Sequence, residues 1–215
     1  MNIKEFTDKL AANEMELSVA LKRAKVLATR MKIDSFANWI NFELNGYPTR
    51  NSLPEYRKLI CMVEGDILTG IGIQKNIIVD VTVLNKQISV PIDRHDEFNG
   101  VESIEYTLKN LEGDVVAAPF PQPVVNSMPN TNPSHKLIAM RRIIAKNTLN
   151  NILIIVKNNL FDAILEIEKS YLQQAIEEKP LSESEARQIN NYITYNIIGN
   201  NNNTNAIAGK EIYQR

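Results

Sequence analysis

Few side chains have types and spacing suited to chemistry, and the densest group is Asp93-Arg94-His95-Asp96-Glu97. Imidazole beside carboxylates suits a general base or a metal ligand set. His95, Asp96 and Glu97 are therefore the candidates for a nuclease or nucleotide-hydrolysing centre. Five polar residues in a row after a strand equally describe a solvated turn, and no other segment supplies a matching ligand motif. The turn is the preferred reading. His135 follows Ser134 at what reads as a helix start, a place for capping or surface exposure. Cys61 stands in the apolar run Leu59-Ile60-Cys61-Met62-Val63 and reads as a small buried hydrophobe, not a nucleophile. Thr69-Gly70-Ile71-Gly72-Ile73 lacks the following helix and the Lys-Ser/Thr of a phosphate loop, so it reads as a loop or bulge. No nucleophile elbow, zinc signature or Walker sequence occurs, and no cofactor or metal is expected.

Charge distribution says more than charge total. The net charge is −1, so no global field draws the chain to nucleic acid or anionic lipid. Ser18 to Ile33 nevertheless holds Lys22, Arg23, Lys25, Arg30 and Lys32 without an acid, and Val115 to Phe161 holds Lys136, Arg141, Arg142, Lys146 and Lys157 without one. If both runs are helical and adjacent, Lys22, Arg23, Lys25, Arg141, Arg142 and Lys146 form a basic patch able to meet phosphates. Neither Ser18 to Ile33 nor the stretch from Lys136 to Lys157 carries the aromatic rings that stack on bases. Ordinary solvated faces are the preferred reading of both.

The elements that must position these residues follow from periodicity. Ser134 to Glu178 reads as one long helix, with Leu137, Met140, Ile144, Ile152, Val156, Leu160, Ile164, Ile167 and Tyr171 on a stripe. A bend is expected near Asn147 to Asn151, where helix formers are sparse. Residues 2 to 31 read as helix, and Asp34 or Ser35 caps a second helix that Gly46 and Pro48 stop. Together they form an αα-hairpin with Trp39 in its core. Leu59–Val63 and Asn76–Val83 read as strands, Asn85-Lys86 as a turn and Ile88–Ile92 as the returning edge strand. Residues 101 to 112 read as a short acidic helix. Ala117 to Pro133, with five of the nine prolines, reads as an extended connector laid over the fold.

Pro180 ends the helical region, and Ser182-Glu183-Ser184-Glu185 has capping-box spacing. Residues 190 to 205 then contain eight asparagines. Ile193, Tyr195 and Ile197 alternate as in a strand, Gly199-Asn200 supplies a turn, and the segment is a candidate for β-type self-association. The expected fold class is α+β: an N-terminal helical hairpin and a long C-terminal helix packed with a small antiparallel β-sheet, plus an Asn-rich tail. The expected division is residues 1–178 as the domain and 179–215 as a short helix and tail. One cysteine, no signal-peptide core and no apolar run near the roughly 20 residues of a membrane span point to a soluble cytoplasmic protein.

Asp34-Ser35-Phe36-Ala37-Asn38-Trp39-Ile40-Asn41-Phe42-Glu43-Leu44-Asn45-Gly46-Tyr47-Pro48, followed by Leu53-Pro54-Glu55-Tyr56-Arg57, resembles the opening of the AbiTii domain. Ile152 to Leu160, running into Leu165-Glu166-Ile167-Glu168-Lys169, is similar to its closing helix. Lys157 and Asn158-Asn159 replace the Arg pair usual there. The resemblance implies a component of abortive-infection defence against phage and carries no catalytic residues with it. The expected role is a non-enzymatic interaction or assembly module, as a homo-oligomer or with another defence protein. The alternatives are the hydrolytic centre at His95 and nucleic-acid binding through the basic runs.

Overall fold

A computed structural model describes residues 3–82, 91–129, 134–177 and 182–198. The chain is α+β, as its periodicities imply, and its residues divide into two units. One comprises Met1–Tyr56, Phe98–Tyr106 and Ile152–Arg215; the other comprises Arg57–Glu97 and Thr107–Asn151. The expected 178/179 boundary falls outside the described residues. No helix among the described residues is long and apolar enough to cross a membrane.

The first unit is helical. The segment expected as one helix over 2–31 is two, α1 (Ile3–Ala11) and α2 (Leu17–Arg30). Asn13 breaks them with a φ of 57°, a left-handed conformation that asparagine tolerates better than most side chains. Ala20, Ala24 and Ala28 are fully buried one turn apart, which lets α2 approach α3 (Asp34–Asn45) closely. Ile33, not Asp34 or Ser35, is the α3 N-cap, and it makes no side-chain bond. The Ser35 N–H instead donates to Asn190 Oδ1 at 3.0 Å. From α6 (Lys146–Glu177), Ile152, Val156, Leu160, Ala163, Ile164 and Ile167 enter the core as one buried stripe. Each large aliphatic so buried contributes about 1.5–3 kcal/mol.

α7 (Glu183–Tyr192) starts at the predicted capping box, with Ser182 and Glu185 bonding reciprocally. The strand expected at Ile193, Tyr195 and Ile197 is instead a π-helical segment, Ile193–Ile198. Ile189 and Ile193 are both buried, so apolar contact at i, i+4 carries the helix onward and overrides local β-propensity. Tyr195 is exposed, and Asn200 lies outside the described residues.

The second unit holds the sheet. β2 (Met62–Thr69), β3 (Gly72–Ile78), β5 (Val115–Pro119) and β6 (Lys136–Ala145) form an antiparallel sheet in the order β3-β2-β6-β5, and β1 (Lys58–Ile60) pairs with β4 (Arg94–Asp96). Thr69 faces Gly72, so the glycine-rich stretch read as a loop is a hairpin turn. The strand expected over Asn76–Val83 instead runs Gly72–Ile78 and pairs with β2, while the Asn85-Lys86 turn and residues 88–90 of the expected return strand lie outside the described residues.

Two expectations are corrected here. Residues 136–145 are not the start of the long helix but the central strand β6, bonded to β2 and β5 on either side. Helical spacing at Leu137, Met140 and Ile144 is coincidental in a run that is apolar on both faces, as a strand flanked by two neighbours tends to be. The long helix begins at Lys146, so Asn147 to Asn151 are its first turns, not a bend. The proline-rich segment is likewise no overlaid connector. It forms edge strand β5, ending at Pro119 where a missing N–H costs no ladder bond, and then helix α5 (Gln122–Ser127). Val125 and Met128 from this segment join Val63, Ile92 and Met140 in the core of the unit. The acidic helix α4 (Val101–Asn110) lies where expected.

Candidate functional site

Two polar clusters hold the residues that sequence singles out. In the helical unit, α3 presents Trp39 and Glu43 one turn apart, and Tyr47 follows its C-cap Gly46. A 3₁₀ turn, Glu55–Arg57, brings in Tyr56. The Tyr47 and Tyr56 hydroxyls each donate to Glu43 Oε1 at 2.5 Å, and Trp39 Nε1–H donates to the Tyr56 oxygen at 3.3 Å. Glu43 is 0% exposed. Phe36 stacks on Trp39 at 5.8 Å and Phe42 on Tyr47 at 5.4 Å, which closes the cluster with rings.

Burial, then the adjacent Glu43 charge, pushes both phenols well above their ordinary value of 10.0. They stay protonated donors, and the carboxylate has its negative charge met by two short O–H bonds. Chemically the cluster is a clamp: it fixes the chain beyond α3, with Glu43, Tyr47 and Trp39 buried. A pH consequence follows. In the unfolded chain both phenols ionise near pH 10, whereas in the fold they resist ionisation. Stability conferred by the raised values is therefore full below about pH 10 and declines as pH rises beyond it, by about 1.4 kcal/mol per pH unit for each tyrosine. Denaturant titration from pH 8 to 11 should show that decline, and Tyr47→Phe with Tyr56→Phe should flatten it.

Backbone packing around the clamp accounts for the Asn45-Gly46-Tyr47-Pro48 sequence. The Tyr47 N–H donates to the Phe98 carbonyl at 2.9 Å. A Cβ on Gly46 would sit 2.5 Å from that same oxygen, and Gly46 has φ +89°. A Cβ on Gly100 would sit 2.1 Å from the Leu44 oxygen. Phe98-Asn99-Gly100 is thus the mating piece of the signature, which the sequence reading passed over. Its Asn-Gly pair, matching Asn45-Gly46, was the available signal.

The second cluster lies in the sheet unit. His95 is on β4 opposite Leu59, so Asp93–Glu97 is in part a paired strand and not simply the solvated turn expected. His95 Nε2 is 3.6 Å from Glu97 Oε2, and Glu97 is buried. The Glu97 N–H donates to Arg57 O at 2.8 Å, while Arg57 Nη1 donates to Glu97 O at 3.2 Å. Residues 95 and 97 share one side of an extended chain and Asp96 takes the other, so the three do not converge. Among the described residues no group of three or more His, Cys, Asp or Glu side chains is placed to hold a metal. Cys61 is buried, and burial pushes its thiol up, away from the reactive thiolate. His135 is exposed just before β6, not at a helix start.

The six basic candidates are not on two helices. Lys22 pairs with Glu102 at 2.8 Å, Lys25 donates to Asn41 Oδ1 at 2.8 Å, and Arg23 is exposed, all on α2. Arg141 and Arg142 belong to strand β6. Arg141 binds Glu64 at 3.3 Å, Asp66 at 3.1 Å and Asn76, and it holds the Asp66 carboxyl below its ordinary value. Arg142 donates to Ile92 O at 2.9 Å and lies 4.0 Å over the Phe120 ring, where burial lowers its pKa. Both guanidinium groups are thus engaged within their own unit. Lys146 opens α6, its N–H donating to Asp114 O at 2.7 Å.

A family model described as AbiTii matches residues 3–194. No curated protein and no solved structure matches the chain.

Proposed function

The chain belongs to the AbiTii family, which associates it with abortive-infection defence, and we propose that it acts there as a non-enzymatic interaction component. The observation that carries this reading is the β2–β3 hairpin. All seven residues of β3 are exposed, with Ile73 at 54% and Ile78 at 69%, and Ile71 at the turn is 94% exposed. Aliphatic side chains so concentrated on one hairpin are costly to leave in water and mark a surface meant to be covered by another protein. The partner is a second copy or another defence protein, and mass in solution distinguishes them. Self-association through a strand at Ile193, Tyr195 and Ile197 is not part of this reading, since that segment is helical and Ile193 is buried.

The rival is a hydrolytic effector using His95, Asp96 and Glu97, favoured only by the 3.6 Å approach of His95 to Glu97. One experiment separates them. Ile71→Asp with Ile73→Asp should leave folding within about 0.5 kcal/mol, as exposed substitutions do, and should remove phage protection in a plaque assay. His95→Ala should leave protection intact. The reverse pattern would transfer the function to His95.

A further inference from the structure

α1 and α2 line an open groove of about 390 Å³, with Ile3, Phe6, Val26 and Leu27 as its apolar lining. Lys9, Arg23 and Arg30 also line it, against the single carboxylate of Glu5. Lys9 and Glu5 pair at 3.0 Å, and Lys9 together with Arg23 holds the Glu5 carboxyl below its ordinary value. On α2, residues 23, 26, 27 and 30 fall on one stripe, with Arg23 and Arg30 at its two ends along the axis and Val26 and Leu27 between them. We infer that this groove binds an acidic amphipathic helix of a partner protein.

The occupant follows from what the groove offers. Both walls are helices whose mid-length backbone groups bond internally, so an extended strand would find no ladder to join, whereas a helix satisfies its own backbone. Apolar lining between cations calls for an apolar stripe flanked by carboxylates. Nucleic acid fits poorly, because Phe6 is buried and cannot stack on a base, and Glu5 would face the phosphates. A second copy offering its own acidic helix also fits poorly. On α4, Glu102 already bonds Lys22, and Glu105 Oε1 already accepts from the Leu17 N–H at 2.9 Å. The groove shares no residue with the β2–β3 hairpin, so the two readings stand or fall independently.

The probe is a labelled synthetic helix of about 18 residues, or five turns, with leucines on one stripe and glutamates at the positions bordering it. Its control carries lysines in place of the glutamates. By fluorescence anisotropy the glutamate peptide should bind the full chain at least about tenfold more tightly than the lysine peptide. Arg23→Glu with Arg30→Glu should weaken it by at least about tenfold, and Val26→Asp should do likewise. Val26 is 50% exposed and both arginines are exposed, so melting curves should not move. Equal binding of the two peptides, or affinity unchanged in both variants, would overturn the inference. So would duplex RNA displacing the peptide, or a dimer of this chain that Arg30→Glu dissolves.

Discussion

Glu43→Ala is expected to lower folding stability by about 3–5 kcal/mol, the range for removing one partner from a buried charge-assisted cluster. The carboxylate accepts from both Tyr47 and Tyr56, and Glu43 and Tyr47 are buried away from water. Alanine removes the charged acceptor that the two phenols share and opens a cavity where the side chain stood. Glu43→Gln keeps an acceptor oxygen in place and should cost less than half as much. Urea unfolding followed by circular dichroism reads the difference. Equal losses for the two variants would show that volume, not hydrogen bonding, is what Glu43 supplies. A loss under about 1 kcal/mol for alanine would refute the clamp.

Gly100→Ala is the second large effect. Its added methyl would lie 2.1 Å from the Leu44 oxygen and 2.8 Å from the Leu44 carbonyl carbon. Both are backbone atoms at the end of α3, so no rotamer change relieves the clash. Overpacking ordinarily costs about 1–3 kcal/mol, and a clash with main chain belongs at or above the top of that range. A fall in melting temperature of about 6–12 °C is expected. Gly113→Ala is the control: nothing lies within 4 Å of the added methyl, so stability should hold. At Gly65 the nearest atom, at 2.6 Å, is Leu137 Cδ1, a movable side-chain end, so alanine there should cost less than at Gly100.

What could be read from sequence was what short-range physics decides. The α2–α3 hairpin, buried Trp39, the acidic helix α4 and the capping box at Ser182 each follow from spacing or from one side chain meeting nearby backbone. The misreadings have a common cause. Residues 136–145 are apolar on both faces, and only pairing with distant β2 and β5 settles that they extend. The Pro119 region becomes an edge strand for the same reason. At Ile193 the choice went the other way, because a buried contact overruled local β-propensity. Arg141 and Arg142 looked like exposed cations, since nothing nearby in sequence announces Glu64, Asp66 or Phe120. The clamp was half visible: WINFELNGYP marked it, but its carboxylate acting as a shared acceptor needed Tyr56 brought alongside.

The helical unit takes its residues from three separate stretches, Met1–Tyr56, Phe98–Tyr106 and Ile152–Arg215. During synthesis the amino-terminal helices therefore leave the ribosome well before Ile152, Val156 and Leu160, which complete their core, have been translated. The sheet unit, finished at Asn151, has all its strands in hand first. A nascent chain stalled near that point carries a complete sheet and greasy, unshielded helices, the kind of species that chaperones hold and proteases clear.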